Sequence, residues 1–139
     1  MIKLHSIAQI EHKEYAFENA KATTEVFNGD FGEVTDGVFA PAAAGMKAVM
    51  NIEVGDNEYM DKYPIAKGQD LRVLDLAAFD GEVLEVYGKQ LPETFKKGDK
   101  LVADETGSLT VGSPTAAPYL EVTDVIGNKI GVAVTVVAK

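Results

Sequence analysis

The chain has no cysteine, no tryptophan, one arginine (Arg72) and two histidines in 139 residues. Without cysteine there is no disulfide framework, no thiolate zinc site and no cysteine nucleophile. His5 and His12 sit two turns apart if the segment is helical, too far to share a metal ion directly, so they read as part of a solvated face. Long hydrophobic runs are missing too. No stretch approaches the ~18 apolar residues of a membrane span. The N-terminal MIKLHSIAQIEHKEY has no continuous apolar core of the kind a secretory signal needs. A soluble protein made in a cytoplasm, with no membrane partner, is expected.

Basic residues are the scarcer charge. Thirteen Lys and Arg stand against 22 Asp and Glu, giving a formal net charge of -9. Nucleic-acid binding needs a basic face to displace counterions from phosphates, so nucleic acid is not an expected partner. Catalytic patterns are missing as well. There is no Gly-x-Ser-x-Gly elbow and no glycine-rich phosphate loop; the glycines are dispersed, about one per turn. Asp56, Glu58 and Asp61 lack the calcium-loop pattern and its terminal bidentate Glu, and read as an acidic surface loop. Arg72 reads as a surface charge on a strand. No catalytic, cofactor-binding or metal-binding residue is expected, and no cofactor.

What is present is a β-pattern. At 46% apolar and 25% charged residues, the chain has the composition of a globular domain large enough to bury a core. Phe95 to Val111, FKKGDKLVADETGSLTV, reads as a hairpin. Lys97-Gly98-Asp99 turns into a strand from Lys100 to Ala103. Asp104-Glu105-Thr106-Gly107 then turns back into Ser108 to Val111. Asp first and Gly fourth suit a type I turn closed by glycine.

The same logic recurs along the chain. Asn28-Gly29 signals a two-residue hairpin between Val26-Phe27 and Asp30-Phe31, and Asp36-Gly37 marks a turn. Val38 to Gly45, broken by Pro41, reads as a loop or an edge. Lys47 to Val54 reads as a strand with Ala48, Met50, Ile52 and Val54 on one side. Leu71 to Leu74, Glu82 to Tyr87 and Tyr119 to Val125 are further strands, and Gln90 to Lys96 is a connection. Gly127-Asn128 turns into a closing strand, Ile130 to Val137, which is apolar or small on both faces and so reads as sandwiched between layers. Turn signals every ~8–12 residues with no long helix indicate a mainly β fold, a small sandwich or barrel built from hairpins.

The N-terminal segment is the ambiguous one. Ser6 and Gln9 suit a capping box, whereas Tyr15 and Phe17 alternate with polar neighbours, so it reads either as a short helix or as an extended arm. The division expected is an arm over residues 1–22 and a single β-domain over 23–139. Leu4, Ile7, Ile10, Tyr15 and Phe17 are the candidate docking anchors of that arm, against a partner or another subunit.

NGDFGEV at Asn28 to Val34, KKGDKLVADETGSLTV at Lys96 to Val111 and GVAVTVVAK at Gly131 to Lys139 resemble the small capsid decoration, or cementing, proteins of tailed bacteriophages. That resemblance implies a non-enzymatic virion protein that binds the outside of an assembled shell of major capsid protein and stabilises it. It also implies a homo-oligomer, with a trimer favoured. The alternative is a carbohydrate-binding β-module or an adhesion domain. Such modules present exposed aromatics, and here Trp is absent while Tyr and Phe total 11, from five and six.

Overall fold

The computed structural model describes residues 2–4, 17–51 and 64–139. Eleven strands lie within them, arranged as an open sheet and a closed barrel. The open sheet contains β1 (Ile2–Leu4), β7 (Val83–Tyr87), β8 (Lys100–Ala103), β9 (Leu109–Gly112), β10 (Tyr119–Ile126) and β11 (Gly131–Val137). Its spatial order is β1-β7-β11-β10-β8-β9, and every pair is antiparallel. The barrel contains β2 (Phe17–Ala22), β3 (Phe31–Thr35), β4 (Val38–Pro41), β5 (Lys47–Val49) and β6 (Asp70–Asp75). It closes in the order β2-β4-β3-β5-β6, and only β2 and β4 run parallel.

Strand alternation explains how the two parts share a core. Along β6, Leu71 and Val73 point into the barrel with Ala20, Ala22, Phe39 and Val49, where Val26 and Ile65 join them. Leu74 points the other way. Phe17, Leu74, Ala48 and Phe31 are register partners in a row across β2, β6, β5 and β3. That row packs on the sheet's Leu84, Val86, Leu101, Leu120, Val132, Val134 and Val136, all in one cluster. This wall of the barrel is therefore apolar on both sides. Ala48 and Val49 are both fully buried, one facing the sheet and the other the barrel interior. Ala48 and Met50 thus share one side, as expected, while Val49 adds a second apolar side, and the strand ends at Val49 rather than running on to Val54; Ile52 and Val54 lie outside the described residues.

The barrel is narrow enough that one ring fills part of its width. A Cβ on Gly32 would lie 2.1 Å from the Ala40 carbonyl oxygen and 2.8 Å from Phe39 Cζ, so β3 tolerates only glycine there. At the end of the inward-facing rows stand Glu18, Lys47 and Asp75. Lys47 Nζ pairs with the Glu18 carboxylate and lies 3.5 Å from Asp75.

Several turns form where the sequence signals them. Asp36 and Gly37 both take positive φ, 51° and 76°, and join Thr35 to Val38 as a two-residue hairpin. Gly107, at φ 85°, donates its N–H to the Asp104 carbonyl at 3.1 Å and closes the hairpin between β8 and β9. Val38 to Pro41 departs from its reading as a loop or edge: it is a barrel strand paired on both sides. Pro41 is tolerated because β2 ends opposite Phe39, so nothing on that side needs its missing N–H. Asn28-Gly29 also departs from its reading. It is a turn closed by Asp30 N–H to the Phe27 carbonyl at 3.1 Å, but Val26 bridges Ile65 and Phe31 pairs with Ala48, so no hairpin forms there.

Residues 1–22 supply a strand to each part. Ile2–Leu4 pairs with β7, and Ile2 is in the core; Phe17–Ala22 pairs with β6 over five positions. The boundary at 22/23 thus falls at the end of a barrel strand. A polar lock joins barrel and sheet. Gln90, wholly buried in a one-turn 3-10 helix after β7, donates from Nε2 to the Asn28 carbonyl at 2.9 Å and Asp30 Oδ1 at 3.1 Å. Asn28 in turn clasps Asn51, whose N–H reaches Asn28 Oδ1 at 2.9 Å.

Candidate docking surface

Among the described residues, the large apolar side chains that stay exposed are Val38, Val111 and Ile130. Val111 is the informative one. On β9 it shares a face with Leu109 and is the register partner of Leu101, which pairs with Leu120, which pairs with Val136. The last three are buried and Val111 is 47% exposed. The apolar row of the sheet therefore runs out into solvent at its edge, where β9 pairs with β8 alone among the described residues.

Beside that edge lies an open hollow of about 510 Å³, lined by Thr94, Phe95, Lys96, Asp99, Val111 and Lys129. Phe95, nearly buried, supplies its apolar wall. Three stretches distant in sequence meet here: the connection leading into β8, the edge strand β9 and the turn between β10 and β11. Asp99 shapes the first of them. Its Oδ2 accepts the Lys96 N–H at 2.9 Å, and its carbonyl accepts the Val122 N–H at 2.9 Å.

Two lysines line the hollow in a chain of net charge -9. Several lysines elsewhere are engaged, Lys21 with Asp70, Lys47 with Glu18 and Asp75, and Lys89 over the Phe27 ring, whereas Lys67 and Lys139 are exposed without an ion pair among the described residues. Lys100 extends over the Tyr119 ring at 4.5 Å and reaches the Pro114 carbonyl at 3.4 Å. Lys96 and Lys129 on the hollow, and Lys97 exposed beside it, make no ion pair among the described residues. All three are exposed.

The expected anchors are placed elsewhere. Phe17 opens β2, packs against the main core and carries the Arg72 guanidinium 3.8 Å above its ring. Arg72 is thus on a strand, as expected, and its charge rests on an aromatic face. Leu4 lies in β1 opposite Leu84. Ile7, Ile10 and Tyr15 lie outside the described residues, as do His5, His12, Asp56, Glu58 and Asp61. Among the described residues no cluster of three or more metal-ligating side chains occurs, and no helix is long and apolar enough to cross a membrane.

Sequence reading missed both the hollow and Gln90. Val111 was legible as a strand residue, but its exposure depends on β9 being the edge, which pairing order alone decides. Lys129 joins Lys96 only through tertiary contact. No protein-family model matches the chain, and no curated protein matches it.

Proposed function

We propose that the protein is a structural binding protein of a phage capsid, attaching to the outer surface of the assembled shell and stabilising it without catalysis. The observation that carries this reading is the exposed apolar end of the sheet, where Val111 and Phe95 line one hollow with lysines that are unpaired among the described residues. A surface of that kind suits a protein partner. The resemblance of Asn28 to Val34, Lys96 to Val111 and Gly131 to Lys139 to decoration proteins supports the choice of a shell of major capsid protein. On this reading the protein acts in the virion as a homo-oligomer, with a trimer favoured. Leu4, Ile7, Ile10 and Tyr15 add contacts from the N-terminal segment, while Phe17 serves the fold.

The aromatics favour this over a carbohydrate-binding module. A sugar platform needs open ring faces. Every described Phe and Tyr is buried or half-buried, and Phe17, Phe27 and Tyr119 each have a cation over the ring.

The test is co-sedimentation of the intact protein with shells assembled from the major capsid protein of the same genome. Saturable pelleting, with a rise in the melting temperature of the shell, is expected. Protein left in the supernatant at all ratios would overturn the proposal, and saturable binding on a glycan array would install the sugar-binding alternative. Deleting residues 1–21 is not a clean version of this test, because it removes β1 and most of β2.

A further inference from the structure

We infer that the β9 edge is a strand-addition site for an extended, acidic segment of a partner protein. The inference stands on the surface itself and does not depend on the partner being a capsid shell.

Three features converge on it. First, among the described residues β9 pairs with β8 on one side only, so the N–H and C=O groups on its other edge form a template for a further strand. In the hairpin, Asp104 N–H bonds the Ser108 carbonyl at 2.8 Å. Alternation along an antiparallel ladder then turns the backbone groups of Val111 outward. Secondly, alternate side chains of an added strand would project on the same face as the exposed Val111, beside the hollow that Phe95 walls, and apolar residues at those positions bury surface there. Thirdly, Lys96 and Lys129 line the same hollow with no acidic partner among the described residues, and Lys97 is exposed next to Lys96. The one carboxylate there, Asp99, is turned onto the Lys96 backbone.

Charge decides the occupant. Three unpaired ammonium groups beside an apolar hollow recognise carboxylates carried on an apolar-alternating strand. Pairing this edge with its own copy would bring a second set of the same lysines to the interface, which charge complementarity disfavours. Nucleic acid has the right sign of charge, but the net charge of -9 repels a long polyanion beyond the patch.

The experiment is an NMR titration of the ¹⁵N-labelled full chain with three probes. These are a blocked hexapeptide alternating glutamate and valine, its lysine–valine counterpart, and a single-stranded oligothymidylate of matching charge. The acidic peptide is expected to shift the amides of Leu109 to Gly112 and those flanking Lys96 and Lys129, saturably and less strongly as salt rises. The double variant Lys96→Glu/Lys129→Glu should keep its melting temperature and bind that peptide roughly tenfold more weakly, as for loss of two opposite-charge contacts. Restoring lysine at either position should recover part of the affinity. No saturable shift at β9, equal binding of both peptides, or tighter binding of the oligonucleotide at this edge would each overturn the inference.

Discussion

Tyr87 and Gly131 face each other across β7 and β11, and the tyrosine ring occupies the place where a side chain on residue 131 would be. A Cβ built there would lie 2.4 Å from both Cδ1 and Cε1 of Tyr87. The ring covers a glycine-thinned part of the sheet, and the Tyr87 hydroxyl donates to Glu85 Oε2 at 3.1 Å, fixing the ring. Gly131→Ala should therefore lower stability by about 1–3 kcal/mol through overpacking. A double-mutant cycle with Tyr87→Val, read by chemical denaturation, should show coupling: the alanine costs much less once the ring is gone. Equal costs in both backgrounds would mean that the ring moves aside freely.

The closing strand carries the sharpest stability prediction. Val134 is fully buried in β11, between β7 and β10. Val134→Asp places an unpaired carboxylate in that core, at a cost of several kcal/mol, comparable to the whole stability of a small domain. Circular dichroism of the variant should show loss of the cooperative melt.

Gln90 tests the join between barrel and sheet. Gln90→Leu keeps the bulk but removes the donor to the Asn28 carbonyl and to Asp30 Oδ1. The loss should be about 1–3 kcal/mol, the usual range for leaving a buried acceptor unpaired. Hydrogen exchange should quicken first at the 27–31 turn. Uniform quickening across the chain would instead indicate a global effect.

Two charged groups set the expected pH dependence. Burial pushes the Asp104 carboxyl up, but the Thr106 hydroxyl and the N–H groups of Thr106, Ser108 and Gly107 outweigh it, so its pKa is lowered below the ordinary 3.8. A carboxyl with a depressed folded pKa stabilises above its unfolded value and stops doing so as pH falls through the folded one. Lys47 is the opposite case. The Glu18 hydrogen bond raises it above the ordinary 10.5, burial works against this, and the charges of Asp75 and Glu18 add to the rise. Its contribution is complete below 10.5 and fades as pH climbs through the higher folded value. Melting curves of Asp104→Ala should lie below wild type at neutral pH and converge with it in acid; those of Lys47→Met should converge with it only in strong alkali.

These tests also mark how far the sequence could be read. Strands whose signals are local were legible: the Asp104-to-Gly107 turn, the Asp36-Gly37 hairpin and the apolar closing strand all rest on backbone needs that neighbouring residues settle. Ile130 was read into that strand, yet it sits in the preceding turn with 63% of its surface exposed, because pairing begins at Gly131 opposite Ile126. The failures are long-range. Asn28 and Asp30 look like hairpin residues, but Gln90 and Asn51 recruit them from far along the chain. Nothing local in Phe17 to Ala22 reveals a parallel partner in β4. The wall that is apolar on both sides, Ala48-Val49 and Val73-Leu74, defeats simple alternation. The hollow beside β9 was invisible for the same reason, since pairing order made β9 an edge and tertiary contact brought Lys129 to Lys96.

The central claim is attachment to the outside of a shell. Cryo-electron microscopy of shells saturated with the protein, compared with bare shells from the same preparation, tests it most directly. The account predicts added density on the outer surface at regular lattice positions, matching the barrel-and-sheet body. Reconstructions indistinguishable from the bare shell, or density only on the inner surface, would contradict it.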